Sequence, residues 1–115
     1  MPQIETPGAL ADVDEIAALP EVDALFIGPL DLSFALGVPA KLADPGFVEA
    51  FRGIVQAGKA QGVPVGSIAP TDERAQAMVA DGVNFLALGS DGLWLRHSLT
   101  ASVEALRTTT HKKGT

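Results

Sequence analysis

Two acidic side chains, Glu5 and Asp31, stand 26 positions apart, each just after a short apolar run. Carboxylate oxygens are the ligands that hard divalent cations prefer in proteins. Two acids brought to one edge of a sheet could therefore hold such a cation. The residues alone leave two alternatives open. Asp31 could cap the short helix of LSFALG, and Glu5 could be a solvated acid at the end of a strand.

Four apolar runs in the chain are each followed by a helical pattern. The predicted strands cover roughly residues 2–5, 24–29, 63–67 and 84–89. The predicted helices begin at Thr6-Pro7, Asp44-Pro45, Thr71 and Asp91, and end at Pro20, Gly62, Gly82 and Leu106. Strand and helix alternating four times predicts an α/β fold with parallel strands and right-handed crossovers.

Two architectures fit this alternation, a small doubly wound sheet and half of an eight-stranded barrel. In both of them, ligands bind at the carboxyl ends of the strands. The predicted strand ends carry Glu5, Asp31, Ser67 and Ser90. Neither serine has a partner histidine in the pattern, so a nucleophilic serine is not predicted.

The bulk composition excludes several classes of function. The chain has 115 residues, which we divide into one folded domain over 1–107 and a polar tail over 108–115. A net charge of −6 without a basic stripe argues against nucleic-acid binding. No apolar run approaches the ~20 residues that span a bilayer, and no signal pattern opens the chain. The absence of cysteine fits a cytoplasmic protein.

Four segments carry a resemblance to a known family: IET followed by DEI, FIGPLDLSFALGVP, GKAQGVPVGSIAP and FLALGSD. From about Gln3 to Leu106, the chain resembles the C-terminal half of the HpcH/HpaI aldolases. These are class II pyruvate aldolases related to 2-dehydro-3-deoxyglucarate and 4-hydroxy-2-oxoheptanedioate aldolases. The resemblance implies a (β/α)8 TIM barrel, of which this chain would supply strands five to eight, with the first half absent.

The resemblance also implies roles for individual residues. Glu5 and Asp31 would be the metal ligands of one divalent ion, Mg²⁺, Mn²⁺ or Co²⁺. The carboxylate of a pyruvate-type 2-oxo acid would lie against Gly28, Pro29 and Leu30, with Ile68 in the pocket wall. The family's catalytic arginine and its His–Asp pair belong to the other half of the barrel. No catalytic residue beyond the metal ligands is therefore implied here.

The reaction implied by the resemblance is the cleavage of a 2-oxo-acid aldol to pyruvate and an aldehyde, in a truncated chain with an incomplete active site. One alternative is a non-catalytic half-barrel that associates with itself or with a separate N-terminal half. Another is a C–C lyase like citrate lyase β or malyl-CoA lyase, against which GPLDLS argues. Open sheet edges, including NFLALG, predict that the chain self-associates. The resemblance implies that the last helix packs against a neighbouring subunit of a homo-oligomer.

Overall fold

The computed structural model describes residues 1–111, with side chains as far as residue 107. The elements in chain order are β1 (Gln3–Ile4), α1 (Pro7–Ala11), α2 (Val13–Ala17), β2 (Leu25–Ile27), α3 (Pro29–Ala35), α4 (Pro45–Gln61), β3 (Val65–Ala69), α5 (Asp72–Ala80), β4 (Phe85–Leu88) and α6 (Asp91–His111). All four strands are parallel and form one sheet in the order β1-β2-β3-β4. The predicted α/β fold of four parallel βα units is confirmed, and β4 lies at a sheet edge as expected.

The predicted helix boundaries are set by local capping. Thr6, Asp44 and Thr71 each accept a hydrogen bond from a backbone N–H in the first turn of the following helix, at 2.9 to 3.3 Å. These bonds satisfy donors that have no partner inside the helix. At the other end of α4, Gly62 adopts a φ of +70°, which favours glycine over residues that carry a Cβ.

Two predicted features, the unbroken first helix and the start of the third strand, were wrong. The first helix is interrupted at Asp12, whose φ of −100° and ψ of 15° separate α1 from α2. Strand β3 begins at Val65, two residues later than predicted. Pro64 precedes it and has no N–H to donate to the sheet. The later start places Ser67 in the middle of β3 instead of at its end.

Helix α6 is longer than predicted. It continues through His111, past the expected end near Leu106, because no glycine or proline interrupts the sequence in between. The predicted tail over 108–115 therefore begins inside this helix. Its last residues, 112–115, lie outside the described residues.

The helices cover one face of the sheet and leave the other uncovered. The core on the covered face contains Ile4, Leu25, Ile27, Val65 and Ala69 from the strands, with Phe47, Phe51, Ile54, Val55 and Met78 from α4 and α5. Gln3, Phe26, Gly66 and Phe85 share one row on the opposite face, here called the open face. The rings of Phe26 and Phe85 are 6.1 Å apart at their centroids. The ring of Phe85 lies over Gly66, where a Cβ would overlap it.

Close packing of α4 on β3 depends on Gly58. A Cβ at this position would lie 2.8 Å from the carbonyl oxygen of Val63 and would overlap the Val65 side chain. We expect Gly58→Ala to lower the free energy of unfolding by about 1–3 kcal/mol, since backbone and core must shift to admit the methyl group. The control is Gly53→Ala in the same helix, where a Cβ meets nothing within 4 Å. Urea denaturation should show this control unchanged or stabilised by about 0.4–1 kcal/mol.

Candidate functional site at the carboxyl edge of β1 and β2

The pairing of β1 with β2 brings the predicted site residues to one edge of the sheet. Ile4 pairs with Ile27, so Glu5 and Gly28 come next along the two parallel strands. Helix α3 begins immediately afterwards at Pro29. Asp31 lies in its first turn and is exposed. The sheet register and the short strand-to-helix connection therefore place both acids at the carboxyl ends of adjacent strands.

The Glu5 carboxylate lies directly against Gly28. Its Oε2 atom accepts a hydrogen bond of 2.6 Å from Nε2 of Gln3. A Cβ built on Gly28 would lie 2.5 Å from the same Oε2 atom. Gly28 has an ordinary extended backbone with a φ of −87°, so it is the lack of a side chain that matters here. The carboxylate occupies space that any other residue at position 28 would fill.

Gln3 is a site residue that the motif search missed. The sequence hinted at it in one way. Gln3 stands two residues before Glu5, and residues i and i+2 of a strand point to the same face. A glutamine in a strand of two residues carries no other mark. The structure shows its amide group in contact with the acid.

Asp31 does not cap α3, so that alternative was wrong. The N-cap residue is Gly28, and no side-chain bond caps this helix end. Asp31 lies three residues further on, within the first turn, where a negative charge is favoured by the helix dipole. The carboxylate is exposed at the same edge of the sheet as Glu5.

The four residues expected to contact substrate are divided between two places. Gly28 and Pro29 are buried at the start of α3, and Leu30 in the same turn is 54% exposed. Ile68 is half-buried on β3 and points to the open face, two residues after Gly66. The structure thus brings Gly28 against Glu5, with Pro29 and Leu30 next along the chain in α3, and puts Ile68 on the neighbouring strand β3.

The two strand-end serines have structural partners. Ser67 is fully buried on the helix-covered face, and its hydroxyl donates to the carbonyl oxygen of Ile27 at 3.0 Å. Ser90 accepts a bond from the N–H of Leu93 at 3.3 Å, at the start of α6. Ser90 therefore follows the carboxyl end of β4, which is Leu88, as predicted, whereas Ser67 does not reach the carboxyl edge.

A cavity of about 480 Å³ opens between α5 and α6. It is lined by residues 69–73 and by Leu88, Leu93, Trp94, Arg96 and His97. At its rim, hydrogen bonds from the backbone N–H of Glu73 and from the Thr71 hydroxyl lower the pKa of the Glu73 carboxyl below its ordinary value of 4.5. Ala69 and Leu88 lie on the helix-covered side of the sheet, so the cavity is separate from the carboxylates at β1 and β2.

Within residues 1–111, no helix is both long and apolar enough to cross a bilayer. Among the side chains that the structure describes, those of residues 1–107, no group of three or more His, Asp or Glu is placed to hold a metal ion. A cation at this edge would accordingly have to rely on two carboxylates.

Residues 1–98 match the family described as HpcH/HpaI aldolase/citrate lyase. The chain belongs to this family. It is 40% identical over 107 residues to the hydroxypyruvate/pyruvate aldolase of Delftia acidovorans, covering 93% of this chain and 40% of that protein. It is 42% identical over 89 residues to the 2-dehydro-3,6-dideoxy-6-sulfogluconate aldolase of Pseudomonas putida, covering 77% of this chain and 35% of that protein.

Solved structures of this aldolase/citrate lyase family have the same fold. A family member from Burkholderia cenocepacia superposes with a TM-score of 0.88 at 31% identity, over 91% of this chain and 41% of that one. The chain thus spans about 40% of the length of these relatives. The sequence resemblance to the HpcH/HpaI aldolases is confirmed, and the family is one of carbon–carbon lyases.

Proposed function

We propose that this HpcH/HpaI family chain carries the cation-binding part of a pyruvate-forming aldolase site. The observation that supports it best is the Glu5 carboxylate held over Gly28, beside the turn of α3 that carries Asp31. The family membership supplies the class of reaction. The name of the Delftia relative, a hydroxypyruvate/pyruvate aldolase, favours a small 2-oxo acid as the ligand.

The residues at this edge fit a divalent cation. Both candidate ligands are carboxylates, the donor type that Mg²⁺, Mn²⁺ and Co²⁺ accept, and Gly28 leaves the space that Glu5 occupies. Glu5 and Asp31 would hold the ion, and water or substrate would supply the remaining ligands. When bound, the ion supplies Lewis acidity that polarises the keto group of a 2-oxo acid.

The chain's own residues would bind and orient the substrate. The segment Gly28–Leu30 would lie against its carboxylate, and Ile68 would form part of the wall. In the reaction, the bond between carbons 3 and 4 of a 4-hydroxy-2-oxo acid breaks. Its electron pair stays with the three-carbon fragment, which becomes pyruvate when carbon 3 gains a proton, and carbon 4 leaves as an aldehyde as its hydroxyl group loses a proton.

The test is exchange of the methyl protons of pyruvate with deuterium, followed by mass spectrometry with and without Mn²⁺. We expect exchange that requires Mn²⁺, exceeds that of Mn²⁺ alone and is lost in Glu5→Gln. No exchange by the unmutated chain would contradict a working site. If Mn²⁺ still binds in that case, the non-catalytic alternative is the better account.

We also propose that the chain forms a homo-oligomer through α6. Leu95, Leu99, Val103 and Leu106 follow one another at spacings of four, four and three, so they form one apolar stripe on this helix. Their exposed fractions lie between 48% and 69%. Trp94 lies away from this stripe and donates from Nε1 to the carbonyl oxygen of Leu88 at 2.8 Å. The stripe is therefore an apolar surface that a second copy could bury.

Leu99→Glu should weaken this self-association. A charge in the middle of the stripe would have to be buried without a partner, which is costly. The matched control is Ala101→Glu, which adds the same charge on the opposite side of α6. Sedimentation velocity at micromolar concentration should show dissociation for Leu99→Glu and not for Ala101→Glu. A monomeric unmutated chain would contradict the proposal.

A further inference from the structure

We propose that two buried serines, Ser33 and Ser67, are positioning residues that fix the backbone of the segment Gly28–Asp31. This inference rests on the proposed function, since that segment carries Asp31 and would contact the carboxylate of the substrate. Both serines are fully buried, and no other polar side chain within residues 1–107 is buried to this extent. Burying a hydroxyl group is unfavourable unless it is hydrogen-bonded, so the partners of these two groups show what they do.

Ser67 restrains the beginning of the segment. Its hydroxyl group donates to the carbonyl oxygen of Ile27 at 3.0 Å. This carbonyl belongs to the planar peptide group that joins Ile27 to Gly28. Ser67 lies in the middle of β3, where it pairs with Ile27 of β2. The bond therefore ties the first residue of the segment to the neighbouring strand.

Ser33 restrains the end of the segment. Its hydroxyl oxygen accepts a bond from the backbone N–H of Ala40 at 2.8 Å. A serine hydroxyl has one hydrogen, which is left to donate to the carbonyl oxygen of Leu30 at 2.6 Å. That carbonyl belongs to the peptide group that joins Leu30 to Asp31. The backbone at Asp31 is therefore linked through Ser33 to the connection between α3 and α4.

The first turn of α3 depends on these bonds because no side chain caps it. Its N-cap residue is Gly28, whereas α1, α4 and α5 each have a capping side chain. A helix of seven residues is too short to be stable in water by itself. The two serines restrain this turn from its buried side, which leaves the exposed side chain of Asp31 available to a cation.

Losing either hydroxyl group should weaken the binding of metal. A loosened segment would have to be ordered by the cation at an entropic cost. Groups that orient metal ligands typically account for about 10–100-fold in metal affinity. We expect Ser33→Ala to raise the Mn²⁺ dissociation constant about tenfold, since Ser33 acts on the peptide group next to Asp31. Ser67→Ala should give a smaller rise, because Gly28 lies further from this ligand.

The test first measures the segment itself, in the chain without metal. The N–H of Leu32 donates to the carbonyl oxygen of Gly28 at 2.9 Å and closes the first turn of α3. Hydrogen exchange followed by nuclear magnetic resonance should show faster exchange of this amide in both serine variants. The control is Gly58→Ala, which is expected to lose stability through the packing of α4. It should not accelerate exchange at Leu32 beyond that of other core amides.

Titration with Mn²⁺, followed by electron paramagnetic resonance, then gives the affinities of the same variants. Gly58→Ala should bind Mn²⁺ as the unmutated chain does. At saturating Co²⁺, Ser33→Ala should also alter the ligand-field bands of the ion, because Asp31 would bind with a different orientation. General destabilisation, as in Gly58→Ala, should leave those bands unchanged.

The outcomes separate this inference from the proposed function. Exchange at Leu32 no faster than in Gly58→Ala, or an unchanged Mn²⁺ affinity, would remove the serine concerned from this role. Such results for both serines, together with lost binding in Glu5→Gln, would overturn this inference alone. Equal binding of Mn²⁺ by Glu5→Gln and the unmutated chain would instead overturn the proposed function.

Discussion

Replacing Asp31 by asparagine is expected to weaken Mn²⁺ binding by more than about 100-fold, beyond the effect of losing a partner that only orients a ligand. Asparagine keeps the shape of the side chain and one oxygen donor but removes a full negative charge. With only two carboxylates at this edge, half of the ligand charge would be lost. Asp31 is exposed, so the free energy of unfolding should change by no more than about 0.5 kcal/mol.

The matched control for Asp31→Asn is Asp23→Asn. Asp23 is also exposed and precedes β2, at the opposite end of the strand from Asp31. Both variants change the net charge equally, so a nonspecific effect of charge would appear in both. Equal Mn²⁺ affinity for the two variants, measured by calorimetric titration, would contradict the assignment of Asp31.

Gly28→Ala is expected to separate binding from stability. The new methyl group would meet the end of the Glu5 side chain, which can swing away without moving the backbone. The displaced carboxylate would no longer occupy its place at the carboxyl edge of β1 and β2, so Mn²⁺ affinity should fall at least tenfold. The φ of Gly28 suits alanine, and the free energy of unfolding should therefore shift by less than about 1 kcal/mol.

Gly8→Ala in α1 is the control for this variant, since a Cβ there meets nothing within 4 Å. It should leave Mn²⁺ affinity unchanged and raise stability slightly, by about 0.4–1 kcal/mol. An unchanged Mn²⁺ affinity in Gly28→Ala would show that the contact between the Glu5 carboxylate and Gly28 has no part in cation binding.

Much of the fold could be predicted because its signals are local. Thr6, Asp44 and Thr71 mark helix starts through side-chain bonds to nearby backbone, and Gly62 marks an end through its own φ. The alternation of strand and helix then requires a parallel sheet, and a parallel sheet puts the ends of β1 and β2 at one edge. The placement of Glu5 and Asp31 at that edge follows from these steps.

The remaining features depend on contacts between strands, which no local pattern records. The contact of Glu5 with Gly28 arises from the register of β1 with β2. Ser67 was misplaced because the shift of β3 by two residues moved it from the carboxyl edge into the strand. An error of two residues in a predicted helix boundary leaves most of the helix's core contacts unchanged. The same error in a strand boundary decides which side chains reach the site.

The most direct test of this account is a crystal structure of the chain grown with Mn²⁺, with anomalous scattering used to locate the ion. We predict a single peak at the carboxyl edge of β1 and β2, within about 2.0–2.6 Å of one carboxylate oxygen from Glu5 and one from Asp31. Peaks only at other acidic residues, or a peak that contacts just one of the two, would contradict the claim that these carboxylates share one cation.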